Sequence, residues 1–81
     1  MRIRFYFRNF DVELWKYFPC RINKGDFFYF DTIIQESEMN KFKENQISDL
    51  QDGDASVLYC KDVGFDKDSE GIYQSVYIDV K

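Results

Sequence analysis

The 81-residue chain has no histidine. That absence removes Ser–His and Cys–His nucleophilic pairs, histidine general bases and histidine metal ligands together. Cysteine is scarce: Cys20 and Cys60 are too few for a disulfide scaffold and form no zinc-binding spacing. They read as two small hydrophobes in a reducing compartment, with a Cys20–Cys60 bridge as the alternative. No Asn-x-Ser/Thr acceptor occurs, and no apolar run approaches membrane-spanning length. The chain opens on an alternating strand pattern rather than a secretory leader. A cytoplasmic protein with no cofactor, metal or membrane partner is the resulting expectation. No internal repeat or low-complexity segment is present.

What is abundant is aromatic. Phenylalanine, tyrosine and tryptophan make up 20% of the residues, beside 44% hydrophobic and 32% charged. One domain over residues 1–81 of this size hides only roughly 60–65% of its unfolded surface, and large aromatic side groups compensate. The net charge of −4 is unevenly spread. Residues 1–24 hold six basic residues against Asp11 and Glu13, and residues 25–81 hold five against thirteen acids.

The most apolar stretch is Gly25-Asp26-Phe27-Phe28-Tyr29-Phe30, continuing through Asp31-Thr32-Ile33-Ile34. Aromatic and β-branched residues favour a sheet. Alternation sends Phe28, Phe30, Thr32 and Ile34 to one face and Phe27, Tyr29, Asp31 and Ile33 to the other, so the stretch reads as a central strand. The preceding Lys24-Gly25-Asp26 resembles the turn that launches an apolar strand in SH3-like barrels. That resemblance covers about seven residues and implies a small curled β fold.

Arg2-Ile-Arg-Phe-Tyr-Phe-Arg8 alternates cleanly, with Ile3, Phe5 and Phe7 on one side and Arg2, Arg4, Tyr6 and Arg8 on the other. After a turn at Arg8–Asp11, with Asn9 suited to a left-handed backbone, residues 11–18 read as a second strand. A helix capped by Asp11 is the alternative. The strand reading gives a hairpin that sets Asp11 and Glu13 beside the arginines. Residues 36–44 predict one short helix, acidic at its start and basic at its end, with Met39 and Phe42 on one stripe and Asn45 as its stop. Ser48–Gln51 resembles a capping box, and Asp52-Gly53-Asp54 a turn. The C-terminal quarter predicts a hairpin of residues 57–65 and 72–80. Ile72, Val76, Ile78 and Val80 face the core, Tyr73, Ser75, Tyr77 and Asp79 face away, and Gly64 marks a bulge.

Three patterns invite a functional reading. Asp66-Lys-Asp-Ser-Glu-Gly71 has the first half of an EF-hand loop, but Tyr77 stands where the bidentate glutamate belongs, so a solvated hairpin loop is preferred. Carboxylate pairs are expected by chance among fifteen acids. Tyr73 and Tyr77, with their area and polar tips, suit a protein interface.

The sequence therefore predicts a mainly β, α+β domain of about five antiparallel strands, a curled sheet or SH3-like barrel. Its expected role is non-catalytic: a protein-interaction or structural module acting through Tyr73/Tyr77 or the acidic 49–70 region. The expected partner is a basic protein or a second copy of the same molecule. The alternative is nucleic-acid binding through Arg2, Arg4, Tyr6 and Arg8, a basic strand face containing an aromatic. The overall acidity opposes it.

Overall fold

The computed structural model describes residues 1–50 and 57–79. Five strands form one sheet: β1 (Arg2–Phe7), β2 (Val12–Tyr17), β3 (Phe27–Tyr29), β4 (Val57–Asp68) and β5 (Gly71–Asp79). Their order is β2-β1-β5-β4-β3, and the sheet curls into a half-barrel. Between β3 and β4 lie α1 (Phe30–Ile33), a 3-10 helix (Glu36–Lys41) and α2 (Glu44–Leu50).

Strand β1 behaves as its alternation dictates. Ile3, Phe5 and Phe7 are fully buried. It pairs antiparallel with β2, matching Phe5 to Leu14, so the segment expected over 11–18 is a strand over Val12–Tyr17 and not a helix. The tight turn between them is carried by Asp11, with φ of 54°, rather than by Asn9. On its other side β1 runs parallel to β5, matching Phe5 to Val76. The sheet is thus mixed, which corrects the all-antiparallel expectation.

The stretch 25–34 is not a central strand. Strand β3 is three residues long and, among the described residues, pairs only with β4 at the end of the sheet, with Phe27 and Tyr29 more than half exposed. The backbone then turns helical. Phe30, Ile33 and Ile34 recur at i, i+3, i+4, and all three are buried while Asp31 and Thr32 are exposed. That spacing overlaps the period-two alternation, and the helical reading wins from residue 30 onwards.

The single helix expected over 36–44 is instead the 3-10 helix followed by α2. Glu38 accepts the Gln35 N–H at 3.1 Å, and Gln46 accepts the Lys43 N–H at 2.9 Å, so each segment has its own start. Asn45 and Ser48 lie inside α2 rather than at its ends. Met39 and Phe42 do share the buried side. The turn expected at Asp52–Asp54 and the inward face of Val80 lie outside the described residues.

The C-terminal hairpin is longer than expected. Its strands extend to Asp68 and from Gly71, leaving a connection only at residues 69 and 70. The bulge falls at Lys61, between the Cys60–Ile78 and Asp62–Tyr77 pairs, and not at Gly64. Ile72 is 66% exposed because it lies beyond the core. Both Cys20 and Cys60 are free thiols, the first exposed and the second buried.

The core mixes aliphatic residues with phenylalanines, which meet edge to face or tilted. Phe5 meets Phe28 at 5.6 Å and Phe18 at 5.5 Å, and Phe7 meets Phe42 at 5.2 Å. One polar side group lies within it. Gln74 is fully buried and clamps the connection before β3: its Oε1 accepts the Ile22 N–H at 2.8 Å, and its Nε2 donates to the Ile22 carbonyl at 2.6 Å. Replacing Gln74 with leucine leaves two buried backbone groups without partners, at about 1–3 kcal/mol each. Urea unfolding of Gln74→Leu should show a loss of about 2–6 kcal/mol. A variant within about 0.5 kcal/mol of the parent would show that the clamp does not hold this connection.

Candidate functional site

The parallel register between β1 and β5 advances both strands together. It brings the two sets of residues singled out in the sequence onto one outer face. Arg4 lies opposite Ser75 and Tyr6 opposite Tyr77. Arg2 and Arg8 continue the same alternation towards Tyr73 and Asp79. The guanidinium of Arg2 lies 5.3 Å from the ring centres of both Tyr73 and Trp15, which themselves meet edge to face at 5.0 Å. Arg4 donates to Ser75 Oγ at 3.3 Å and stands over the Tyr6 ring at 4.7 Å. Tyr6 meets Tyr77 edge to face at 6.1 Å, and Arg8 covers Tyr77 at 5.4 Å.

Every arginine of this face also has a carboxylate. Arg2 binds Asp68 at 2.5 Å and Glu70 at 2.7 Å, Arg4 binds Glu13 at 2.6 Å, and Arg8 grips Asp79 through two nitrogens at 2.8 Å. Tyr6 donates its hydroxyl to Asp11 at 2.6 Å. On the inner side Lys16 pairs with Glu38. The uneven charge of the sequence is thus spent internally, with basic N-terminal strands binding acids mostly from the C-terminal half. Asp68 serves Arg2, and the Asp66–Gly71 segment is the closing part of the hairpin. The face forms an alternating ladder of guanidinium, ring and carboxylate groups, with Tyr73 and Tyr77 half-buried.

The ladder moves its titrations in a consistent direction. Hydrogen bonding from Arg2 holds the Asp68 carboxyl below its ordinary value, and Arg4 does the same for Glu13. Burial pushes Glu38 up, but Lys16 and the Gln35 N–H outweigh it and the net shift is downward. The hydrogen bond to Asp11 raises the Tyr6 phenol, and burial raises the Cys60 thiol, which leaves that cysteine poorly suited to nucleophilic work.

Elsewhere the surface is less self-satisfied. Strand β4 spans twelve residues, but β3 covers only Val57–Tyr59 of it. The turn before β3 extends that cover by one step, through Gly25 N–H to the Cys60 carbonyl and Cys60 N–H to the Asp26 carbonyl, both at 2.9 Å. From Asp62 to Asp68, β4 has β5 on one side and, among the described residues, no strand on the other. Alternate residues of a strand point their backbone groups to opposite edges. The Val63 and Lys67 N–H groups are taken by the preceding Asp62 and Asp66 carboxylates at 2.9 and 2.8 Å, which marks residues 63, 65 and 67 as facing the free edge. Phe65 and Ile72 lie exposed beside it and line a surface cavity of about 240 Å³ with Asp66 and Lys67. Composition alone could not single out this edge, because its freedom comes from the shortness of β3.

Among the described residues no cluster of three metal-ligating groups occurs, and no helix is long and apolar enough to cross a membrane. No protein-family model, curated protein or solved structure matches the chain.

Depressed carboxyl values predict acid sensitivity with a definite sign. Unfolded Asp and Glu titrate near about 3.9 and 4.3. The stability from Asp68, Glu13 and Glu38 is therefore full above those values and lost as pH falls through the lower folded ones. Urea midpoints followed by emission of Trp15, the only tryptophan, should be flat from pH 7 to 5 and fall below about pH 4. Arg2→Gln should flatten that fall, whereas a parent protein equally stable at pH 5 and pH 2.5 would contradict the ladder.

Proposed function

We propose that the protein is a non-catalytic interaction module that takes an extended segment of a basic protein partner along the free edge of β4. The observation that carries this reading is that edge itself. Over about seven residues, roughly 20 Å of strand, residues 63, 65 and 67 turn their backbone groups away from β5. An incoming strand would have to draw the Asp62 and Asp66 carboxylates off the Val63 and Lys67 N–H groups. Phe65 and Ile72 form an apolar strip alongside. An incoming strand would gain backbone hydrogen bonds for affinity and contacts to its alternate residues for specificity. Asp62, Gly64 and Asp66 share one face of β4 by alternation, and Val63 and Phe65 share the other. A segment alternating basic and apolar residues matches both faces. Neither Asp62 nor Asp66 forms an ion pair among the described residues, although Asp62 acts at longer range on Arg8 and each accepts the N–H of the residue that follows it.

Two alternatives fit less well. Self-pairing of two copies along this edge opposes like charges. Centred on Gly64 it sets Asp62 against Asp66 and Lys61 against Lys67, and centred on Phe65 it sets Asp62 against Asp68. Nucleic-acid binding through Arg2, Arg4, Tyr6 and Arg8 would have to displace the carboxylates that already hold those arginines. A protein contact through Tyr73 and Tyr77 would likewise have to move Arg2 and Arg8 off their rings.

A labelled peptide of about seven residues alternating lysine and valine tests the proposal. It should bind, and Asp62→Lys/Asp66→Lys should weaken binding at least about tenfold while the circular dichroism spectrum stays unchanged. Equal affinity for parent and variant would sink the proposal.

A further inference from the structure

The free edge of β4 does not end in open solvent. At its Lys61 end stands the turn that launches β3, and a cavity of about 490 Å³, open on one side, is lined there by Lys24, Gly25, Tyr59, Cys60 and Lys61. Two separate backbone irregularities build it. Gly25 adopts φ of +92°, which favours glycine and lets the Lys24–Gly25 turn close against Cys60. The bulge in β4 leaves Lys61 outside the ladder, so its side group is re-aimed relative to its neighbours.

Both lysines are exposed, and neither has a carboxylate partner among the described residues. The nearest acids in sequence are otherwise engaged: Asp26 accepts the Asn23 N–H at 2.9 Å, and Asp62 accepts the Val63 N–H at 2.9 Å. Lys24 and Lys61 are the two cationic groups of this lining, and Asp26 and Asp62, which still carry their charge, flank it at Cys60. Tyr59 supplies a partly buried aromatic wall.

Direction now follows from charge. Strand β3 runs antiparallel to β4, with Phe27 opposite Tyr59. A guest strand running the same way as β3 would pass from Asp68 towards Asp62 and end at the Lys24–Gly25 turn. Its C-terminus would meet Lys24 and Lys61. The reverse direction would bring an N-terminal ammonium to the same two lysines, which repels. Resting on the strand-addition reading, we infer that the guest segment is the C-terminal end of the partner protein, its terminal carboxylate held by Lys24 and Lys61 in this cavity. Capture of a terminal carboxylate beside an added strand is a chemically sound combination, since the charged end fixes both direction and register.

The experiment compares two peptides of about seven alternating lysine and valine residues, one ending in a free carboxylate and one in an amide. Fluorescence anisotropy should show the free acid binding the parent protein about tenfold tighter. In Lys24→Ala/Lys61→Ala that preference should vanish while affinity for the amide is unchanged, and Lys24→Arg/Lys61→Arg should restore it. Trp15 emission checks that each variant is folded. Equal binding of acid and amide to the parent would overturn the inference and leave strand addition standing. Binding of neither would overturn both.

Discussion

The structure depends on the parallel pairing of its first and last strands. Without β1 beside β5, the molecule is an N-terminal hairpin and a separate C-terminal sheet, neither able to bury its apolar face. With it, Ile3, Phe5 and Phe7 become a fully buried row between Leu14 on one side and Val76 and Ile78 on the other. Parallel strands need a long crossover connection. Here the connection is most of the sequence, and it supplies the cover: Phe30, Ile33, Ile34 and Phe42 close the inner side of the sheet.

The same pairing decides what the outer face can do. A parallel register matches alternate residues of β1 and β5 in order, so Arg2, Arg4 and Arg8 meet tyrosine, serine and aspartate while Tyr6 meets Tyr77. Each guanidinium is stacked and neutralised, and each tyrosine is partly covered. Surface ion pairs taken singly contribute little. Held by rings and by strand register, these pairs join the first strand to the last. A face that satisfies itself this fully has little left to offer a ligand. The unspent groups lie at the other side of the sheet, where, among the described residues, a three-residue edge strand leaves most of β4 uncovered and Lys24 and Lys61 have no ion pair.

Much of the fold was legible in the sequence, and the failures have physical causes. Strands β1 and β2, their pairing as a hairpin and the C-terminal hairpin follow from period, whereas the 36–50 region was legible only as helical and not in its division into two segments. The stretch 25–34 misled because Phe30, Ile33 and Ile34 satisfy a helical spacing within a run that also alternates. Gln74 lay on the inward face of β5 by simple parity, between Ile72 and Val76, yet a polar residue there reads as an interruption until Ile22 is seen to satisfy it. The arginine and tyrosine sets were each visible, but their meeting was not. It rests on a pairing between residues some seventy positions apart, which local pattern does not encode. The free edge of β4 was invisible for the same reason, since it is defined by what its neighbour fails to cover.

The central claim is that β1 and β5 run side by side in the same direction, and nuclear Overhauser contacts between their side groups test it most directly. Parallel pairing predicts contacts of Ile3 with Gln74, Phe5 with Val76 and Phe7 with Ile78, and of the Tyr6 ring with the Tyr77 ring, in the same order along both strands. Contacts in the reverse order, with Ile3 nearest Ile78 and Phe7 nearest Gln74, would contradict it.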